Sequence, residues 1–256
     1  PWRLSPTSDR QQRTGAIMYG WRARLGLVIP ANNTVIEPEF ARMAPEGVAA
    51  FGAKIRSHGL SAEGIERMVK NSHRAVEELA AGAMNAMAYA CLATSLIKGP
   101  GWTADFEAHV EDTTGCPATT AATATVAALQ SLGASRVALA TPYPDSVNDL
   151  LPPLFNAADI EIVALESVAV KDSLEVCRLE PSVVYGLAKQ ADNDRAAAIC
   201  ILATDIRSIE VLDTLEQDLG KPVISTNQAL LWRCLKSCDV GDPVAGFGSL
   251  LATGEN

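Results

Sequence analysis

Long apolar runs are missing from this chain. No stretch approaches the roughly 18–20 apolar residues needed to cross a bilayer, and the opening PWRLSPTSDRQQRTGAI lacks the apolar centre of a secretory leader. No membrane partner is expected, and a cytoplasmic location is. Basic clusters are equally scarce. With 21 Lys and Arg against 30 Asp and Glu, a net charge of −9 and only Arg22 and Arg24 close together, the surface is a poor match for a phosphate backbone, so no nucleic-acid partner is expected. The three histidines lie far from the one close cysteine pair, Cys234 and Cys238, which excludes the usual zinc spacings. Neither GxGxxG nor GxxxxGK[ST] occurs, which argues against nucleotide binding, and the absence of GxSxG removes the serine-hydrolase elbow. Aromatic residues reach only 5%.

What remains is an aliphatic, alanine-rich chain of 256 residues, 48% hydrophobic, large enough for one broad core or two smaller ones. The six cysteines (91, 116, 177, 200, 234, 238) are scattered through a chain that needs no disulfide staples, so reduced thiols are expected. Residues 1–19 are polar and aperiodic and read as a flexible tail.

Short β-rich runs recur at 24–30, 48–55, 85–92, 136–142, 160–170, 196–204 and 221–226. Several are apolar almost throughout, the mark of parallel strands covered on both faces. Between them lie helical periods at 61–83, 120–133, 145–157 and 208–220, three of them closing at glycine. The recurrence of helix, LG, strand and polar turn after 133 and after 220 predicts two similar α/β units, each with a doubly wound parallel sheet.

In such sheets ligands sit beyond the carboxyl ends of the strands. The residues of interest are therefore Asn32–Asn33–Thr34, Cys91–Leu92–Ala93, Thr141–Pro142–Tyr143, Ala203–Thr204–Asp205 and Thr226–Asn227. Cys91 closes AMAYAC; buried packing is the ordinary role of a free cysteine, but a helix starting just after it would aim N–H groups at the sulfur and favour thiolate. Asn33 and Tyr143 are hydrogen-bond donors suited to a carboxylate. Cys200 lies inside its strand and reads as packing; Cys116, Cys177, Cys234 and Cys238 sit outside any motif.

Together these segments resemble the aspartate/glutamate racemase superfamily, in particular its maleate cis-trans isomerase and arylmalonate decarboxylase branches, from about Arg22 to Leu251. RLGLVIPANNTVIEPEF resembles the first strand and substrate loop, which puts Asn33 on the family's carboxylate-binding asparagine. AMAYACLA resembles the nucleophile segment and puts Cys91 on the first cysteine, with Leu92 and Ala93 where the decarboxylase has paired hydroxyls. RVALATPYPDSVNDLL puts Tyr143 on a carboxylate-binding tyrosine, and Ser173 stands where the isomerase has a polar asparagine. In ICILATDIRSIEVLDTLEQDLGKPVIST the second cysteine's place falls on Ala203, followed by Thr204 and Asp205.

The resemblance implies two pseudo-symmetric domains with the site between them: 20–119 plus 226–256, and 120–225. It also implies a small (di)carboxylic acid as partner and chemistry with no metal or organic cofactor. The activity it implies is isomerisation of maleate type with Cys91 as nucleophile, Asp205 standing in for the missing thiol, and Asn33, Tyr143, Leu92, Ala93, Ala203 and Thr204 lining the substrate. A decarboxylase or racemase working with one cysteine, and a non-catalytic carboxylate binder, are the alternatives. The alanine-rich helices suit a core and a homo-oligomer interface equally.

Overall fold

The computed structural model describes residues 18–56 and 61–254. The expected tail falls outside this range except for Met18 and Tyr19. Two four-stranded sheets, all of whose pairings are parallel, form the frame. The first contains β1 (Ala23–Pro30), β2 (Val48–Ile55), β3 (Ala86–Tyr89) and β4 (Ala118–Thr120), the second β5 (Arg136–Thr141), β6 (Glu161–Ser167), β7 (Ala198–Ile201) and β8 (Val223–Ser225). Their spatial orders are β2-β1-β3-β4 and β6-β5-β7-β8. The second sheet thus repeats the topology of the first, as the repeated motif predicted.

The strand pattern follows from burial. The inner strands β3 and β7 are buried throughout, and β1 and β5 at all but one residue each; the outer β2 and β6 are mostly half-exposed. Continuous apolar runs therefore occupy the centre of each sheet. β4 was not legible in the sequence. At three residues, reading ATT, it is too short and too polar to announce itself.

The helices are α1 (Ile36–Met43), α2 (Ala62–Ala80), α3 (Leu92–Thr114), α4 (Ala121–Ser131), α5 (Asp145–Asn148), α6 (Leu151–Asn156), α7 (Ser173–Cys177), α8 (Pro181–Ala191), α9 (Leu212–Leu219), α10 (Thr226–Ser237) and α11 (Ser249–Ala252). Ser61 caps α2 as expected, accepting from the Gly64 N–H. The single helix expected over 145–157 is two short ones, α6 carrying prolines in its first turn. α3 is broken at Gly99, whose φ of +80° ahead of Pro100 is open to glycine at little cost.

Each fourth strand runs straight into a helix through a capping box. Thr120 and Thr123 cap α4, and Ser225 and Gln228 cap α10. α4 and α10 pack on each other, and α10 also packs on β3 and β4, so the last long helix returns to the first sheet. One apolar core runs through both halves, from Leu25 and Leu27 to Leu139 and Ile201, while a second cluster fills the space under α2 and α3. Among the described residues no helix is long and apolar enough to cross a membrane.

Candidate active site

A cavity of about 650 Å³ opens where the strands of both sheets end. The turn after β1 brings Asn32 and Asn33, the end of β3 brings Cys91, Leu92 and Ala93, the turn after β5 brings Tyr143, and the turn after β7 brings Thr204 and Asp205. These four strands are the central pair of each sheet, the place where chain order reverses and neighbouring connections diverge. Met68, Ile97, Val147, Val170 and Val176 add an apolar wall.

Cys91 is the N-cap of α3, in extended backbone (φ −149°, ψ 103°), which points its residue at the free N–H groups of the first turn. The Thr94 hydroxyl donates to Sγ at 3.2 Å. Burial pushes the Cys91 thiol above its ordinary range; the hydrogen bond from the Thr94 hydroxyl and the proximity of the N–H groups of Thr94 and Ala93 pull it down, while the Asp205 carboxylate pushes it further up. The helix terminus therefore supplies the expected bias toward thiolate, and desolvation outweighs it in the ligand-free protein. Thr94→Val is expected to slow iodoacetamide labelling of Cys91 about tenfold at neutral pH, because a lost hydrogen bond to a charged acceptor costs about 1.5 kcal/mol. Peptide mass spectrometry of the labelled protein checks this, and an unchanged rate would show that the hydroxyl does not stabilise the anion.

Asp205 accepts a hydrogen bond from Ser173, and burial raises its carboxyl above the usual carboxylate range. Ser173, in the first turn of α7, is thus joined to Asp205 in the turn after β7. Burial, then the negative charges of Asp205 and Cys91, hold the Tyr143 hydroxyl well above its ordinary pKa, which keeps it an O–H donor. Its backbone is fixed by Asn148, whose Nδ2 donates to the Tyr143 carbonyl at 2.9 Å, and by the Ser167 hydroxyl.

Asn33 reaches the site but its amide serves the protein. Oδ1 accepts from the N–H groups of Val35 (2.9 Å) and Ile36 (3.1 Å), and Nδ2 donates to the carbonyl (2.9 Å) and hydroxyl (3.2 Å) of Thr204. Asn32 is the half-buried partner of the pair: it lines the cavity and its Oδ1 is buried with no hydrogen-bond partner. Both asparagines follow the same strand end and line the cavity, and only the turn geometry decides which one has its amide spent on the protein.

Ala203 requires a correction. It was expected to line the substrate, yet it does not line the cavity and its methyl is fully buried in the core. Its φ of +115° is a strained value for a residue with a Cβ, and its N–H donates to Thr226 Oγ1 at 3.2 Å. That kink turns the chain so that Thr204 and Asp205, rather than Ala203, face the cavity. Cys200 is buried inside β7, away from the cavity, with its thiol pushed far above the usual range by burial. Thr94, Ser173 and Asn32, with the cavity-lining Ser146, Lys171 and Asp172, are among the residues that sequence reasoning passed over or left uncommitted; Thr94, three residues past a cysteine at a helix start, carried the clearest local signal. Among the described residues there is no group of three or more His, Cys, Asp or Glu suited to a metal.

A family model described as arylmalonate decarboxylase matches residues 25–251. The chain belongs to the arylmalonate decarboxylase family. Within the family, it is 28% identical over 243 residues to a maleate isomerase of Geobacillus stearothermophilus, covering 90% of this chain and 97% of that one. It is 30% identical over 238 residues to a maleate isomerase of Nocardia farcinica, covering 89% and 95%. Among solved structures, a cysteine-to-serine mutant of the Nocardia farcinica maleate cis-trans isomerase, holding a covalently bound succinylcysteine intermediate, superposes with a TM-score of 0.84 at 29% identity over 90% of this chain and 98% of that one.

Proposed function

We propose that this protein is a Cys91-dependent isomerase of the maleate isomerase kind, acting on a small unsaturated dicarboxylic acid. The observation that carries the reading is Cys91 itself: a cavity-lining thiol at a helix N-terminus, hydrogen-bonded by Thr94, with a buried carboxyl, Asp205, close enough to shift its ionisation. The succinylcysteine held by the Nocardia enzyme is the adduct that a thiol forms with a four-carbon enedioic acid, and supports the same chemistry here.

In this reading Cys91 gives its proton to Asp205, which also removes the negative charge facing a diacid. The thiolate adds to one alkene carbon; the π electrons pass to the neighbouring carbon and its carboxylate, and Asp205 returns the proton to that carbon. The former double bond is now single and rotates. Asp205 then takes the proton back, the double bond re-forms as trans, and the thiolate leaves. The Tyr143 O–H and the first-turn N–H groups of α3 hold the substrate carboxylates and the charge that develops on them. No cofactor enters the scheme. The same reading divides the chain into domains of 20–119 with 226–256 and of 120–225, supported by the two sheets and by the packing of α10 on β3 and β4. A cytoplasmic location, where thiols stay reduced, accords with it.

One observation favours a second reading. A Cys91 thiol held above its ordinary range is a proton donor at neutral pH, the role a decarboxylase of malonate-type acids requires. Incubation with maleate and, separately, with phenylmalonate, followed by proton NMR and intact-protein mass, tests both. Fumarate or a succinyl-sized adduct on Cys91 is the expected result. Phenylacetate without fumarate would replace the isomerase reading by the decarboxylase one, and turnover of neither would remove both.

A further inference from the structure

Glu39 is a carboxylate in the wrong place for a surface helix. It lies on the buried stripe of α1 with Ile36, Phe40 and Met43, and is 4% exposed. Its Oε1 accepts from the N–H groups of Ser208 (2.7 Å) and Ile209 (3.2 Å), and its Oε2 from Asn227 Nδ2 (2.6 Å). A carboxylate so buried is retained at a cost, and its partners show what it holds.

Asn227 Nδ2 divides its two hydrogens between Glu39 and the Thr204 carbonyl, at 3.1 Å from the latter. That carbonyl belongs to the peptide joining Thr204 to Asp205, and it also accepts from Asn33 Nδ2. The Thr204 hydroxyl in turn donates to the carbonyl of Ala90, the residue before Cys91, at 2.9 Å. A continuous chain of hydrogen bonds thus runs from Glu39 through Asn227 and Thr204 to the backbone on which both Cys91 and Asp205 stand. Asn227 Oδ1 is left buried and unpartnered. The amide is therefore oriented by its two acceptors, Glu39 and the Thr204 carbonyl, and not by the needs of its own oxygen.

We infer that Glu39 is a positioning residue for the reaction at Cys91, and that its protonation releases Asp205. As a carboxylate, Glu39 can only accept, and it fixes the Asn227 amide in the orientation that pins the Thr204–Asp205 peptide. Once protonated it becomes an O–H donor, for which the unpartnered Asn227 Oδ1 is the available acceptor. The amide then turns over, and the Thr204 carbonyl loses one of its two donors. Burial is the main cause that pushes the Glu39 carboxyl up to about 7, against the hydrogen bonds from Ser208, Asn227 and Ile209, with Glu210 adding to the rise. The charged groups nearby are otherwise paired: Glu210 binds Arg42 of α1 and Arg207 of its own turn, and Lys54 of β2 binds Glu37. The charged residues of α10, Arg233 and Lys236, lie in its later turns. The carboxylate form prevails above neutrality and the released form below it.

This inference rests on the Cys91–Asp205 reading, and its test separates the two. In the intact protein, the rate of iodoacetamide labelling of the Cys91 peptide against pH is expected to carry an inflection near 7 beside the titration of the thiol itself, because moving Asp205 changes the charge that Cys91 feels. Glu39→Gln abolishes that inflection and lowers kcat for maleate about 10- to 100-fold with KM little changed, the size of effect that a small misplacement produces. Glu39→Asp, which keeps the charge, restores the inflection. A Glu39→Gln profile that keeps the inflection overturns the inference. Should Glu39→Gln fail to fold, the side-chain amide resonances of Asn227 in the unsubstituted protein decide: they are expected to move with a midpoint near pH 7, and a pH-independent signal overturns the coupling. No turnover of maleate together with a normal inflection would remove the isomerase reading and leave the coupling intact.

Discussion

Cys91→Ala is expected to lower turnover by at least about a thousandfold, the scale seen when a covalent nucleophile is removed and only binding and polarising groups remain. No intact-protein adduct should form with maleate. Folding should be unaffected, since the side chain is small, part-exposed to the cavity and packed mainly at its edge. Three of the other cysteines serve as an internal control: Cys200 and Cys234 are buried with thiols far above the usual range, and Cys238 is pushed up to about 11, so none of these three substitutes as nucleophile at neutral pH. Turnover by Cys91→Ala within tenfold of the unsubstituted protein would refute the mechanism whichever substrate is used.

Asp205→Asn is expected to move two readouts in opposite directions. Turnover falls roughly 100- to 10,000-fold, because the group that carries the proton between sulfur and carbon is gone. Labelling of Cys91 at neutral pH becomes faster. The sign follows from the charges: the Asp205 carboxylate raises the Cys91 pKa by repelling the thiolate, so a neutral amide at that position lowers it and increases the thiolate fraction. Asparagine also keeps a hydrogen-bond acceptor for Ser173. A variant that was merely misfolded would lose both turnover and selective labelling. If labelling instead slows in step with turnover, Asp205 is a structural prop and its place in the proton path is wrong.

These two residues were legible in the sequence for different reasons. Cys91 stood at the end of an apolar run followed by small polar residues, a local pattern that a buried inner strand and a helix N-cap both require. Asp205 stood out first as a strand-end residue, its role came only through the displacement of the second cysteine's place onto Ala203, and its neighbour was misjudged. Nothing in ILATDIR says that Ala203 takes φ +115° and turns its methyl into the core. That angle is imposed from outside the segment, with Thr226 holding the Ala203 N–H and Ala90, Asn33 and Asn227 holding Thr204. Asn33 shows the same limit. Its position after β1 was read correctly, but its amide is spent across the molecule on Thr204, 171 residues away.

The sequence by itself determined the α/β class, the parallel inner strands and the recurrence of one helix–glycine–strand unit in both halves, because these depend on apolar periodicity and on glycines and caps within a few residues of one another. Tertiary structure alone decided which strand-end residues face the cavity and in which direction their ionisation is pushed. Those properties arise from burial and from hydrogen bonds between segments that meet only in the folded chain, such as Glu39 and Asn227, 188 residues apart. An interior of low polarity makes each such contact strong and each unpaired group costly, so the chemistry of the site is set by the partners the fold supplies.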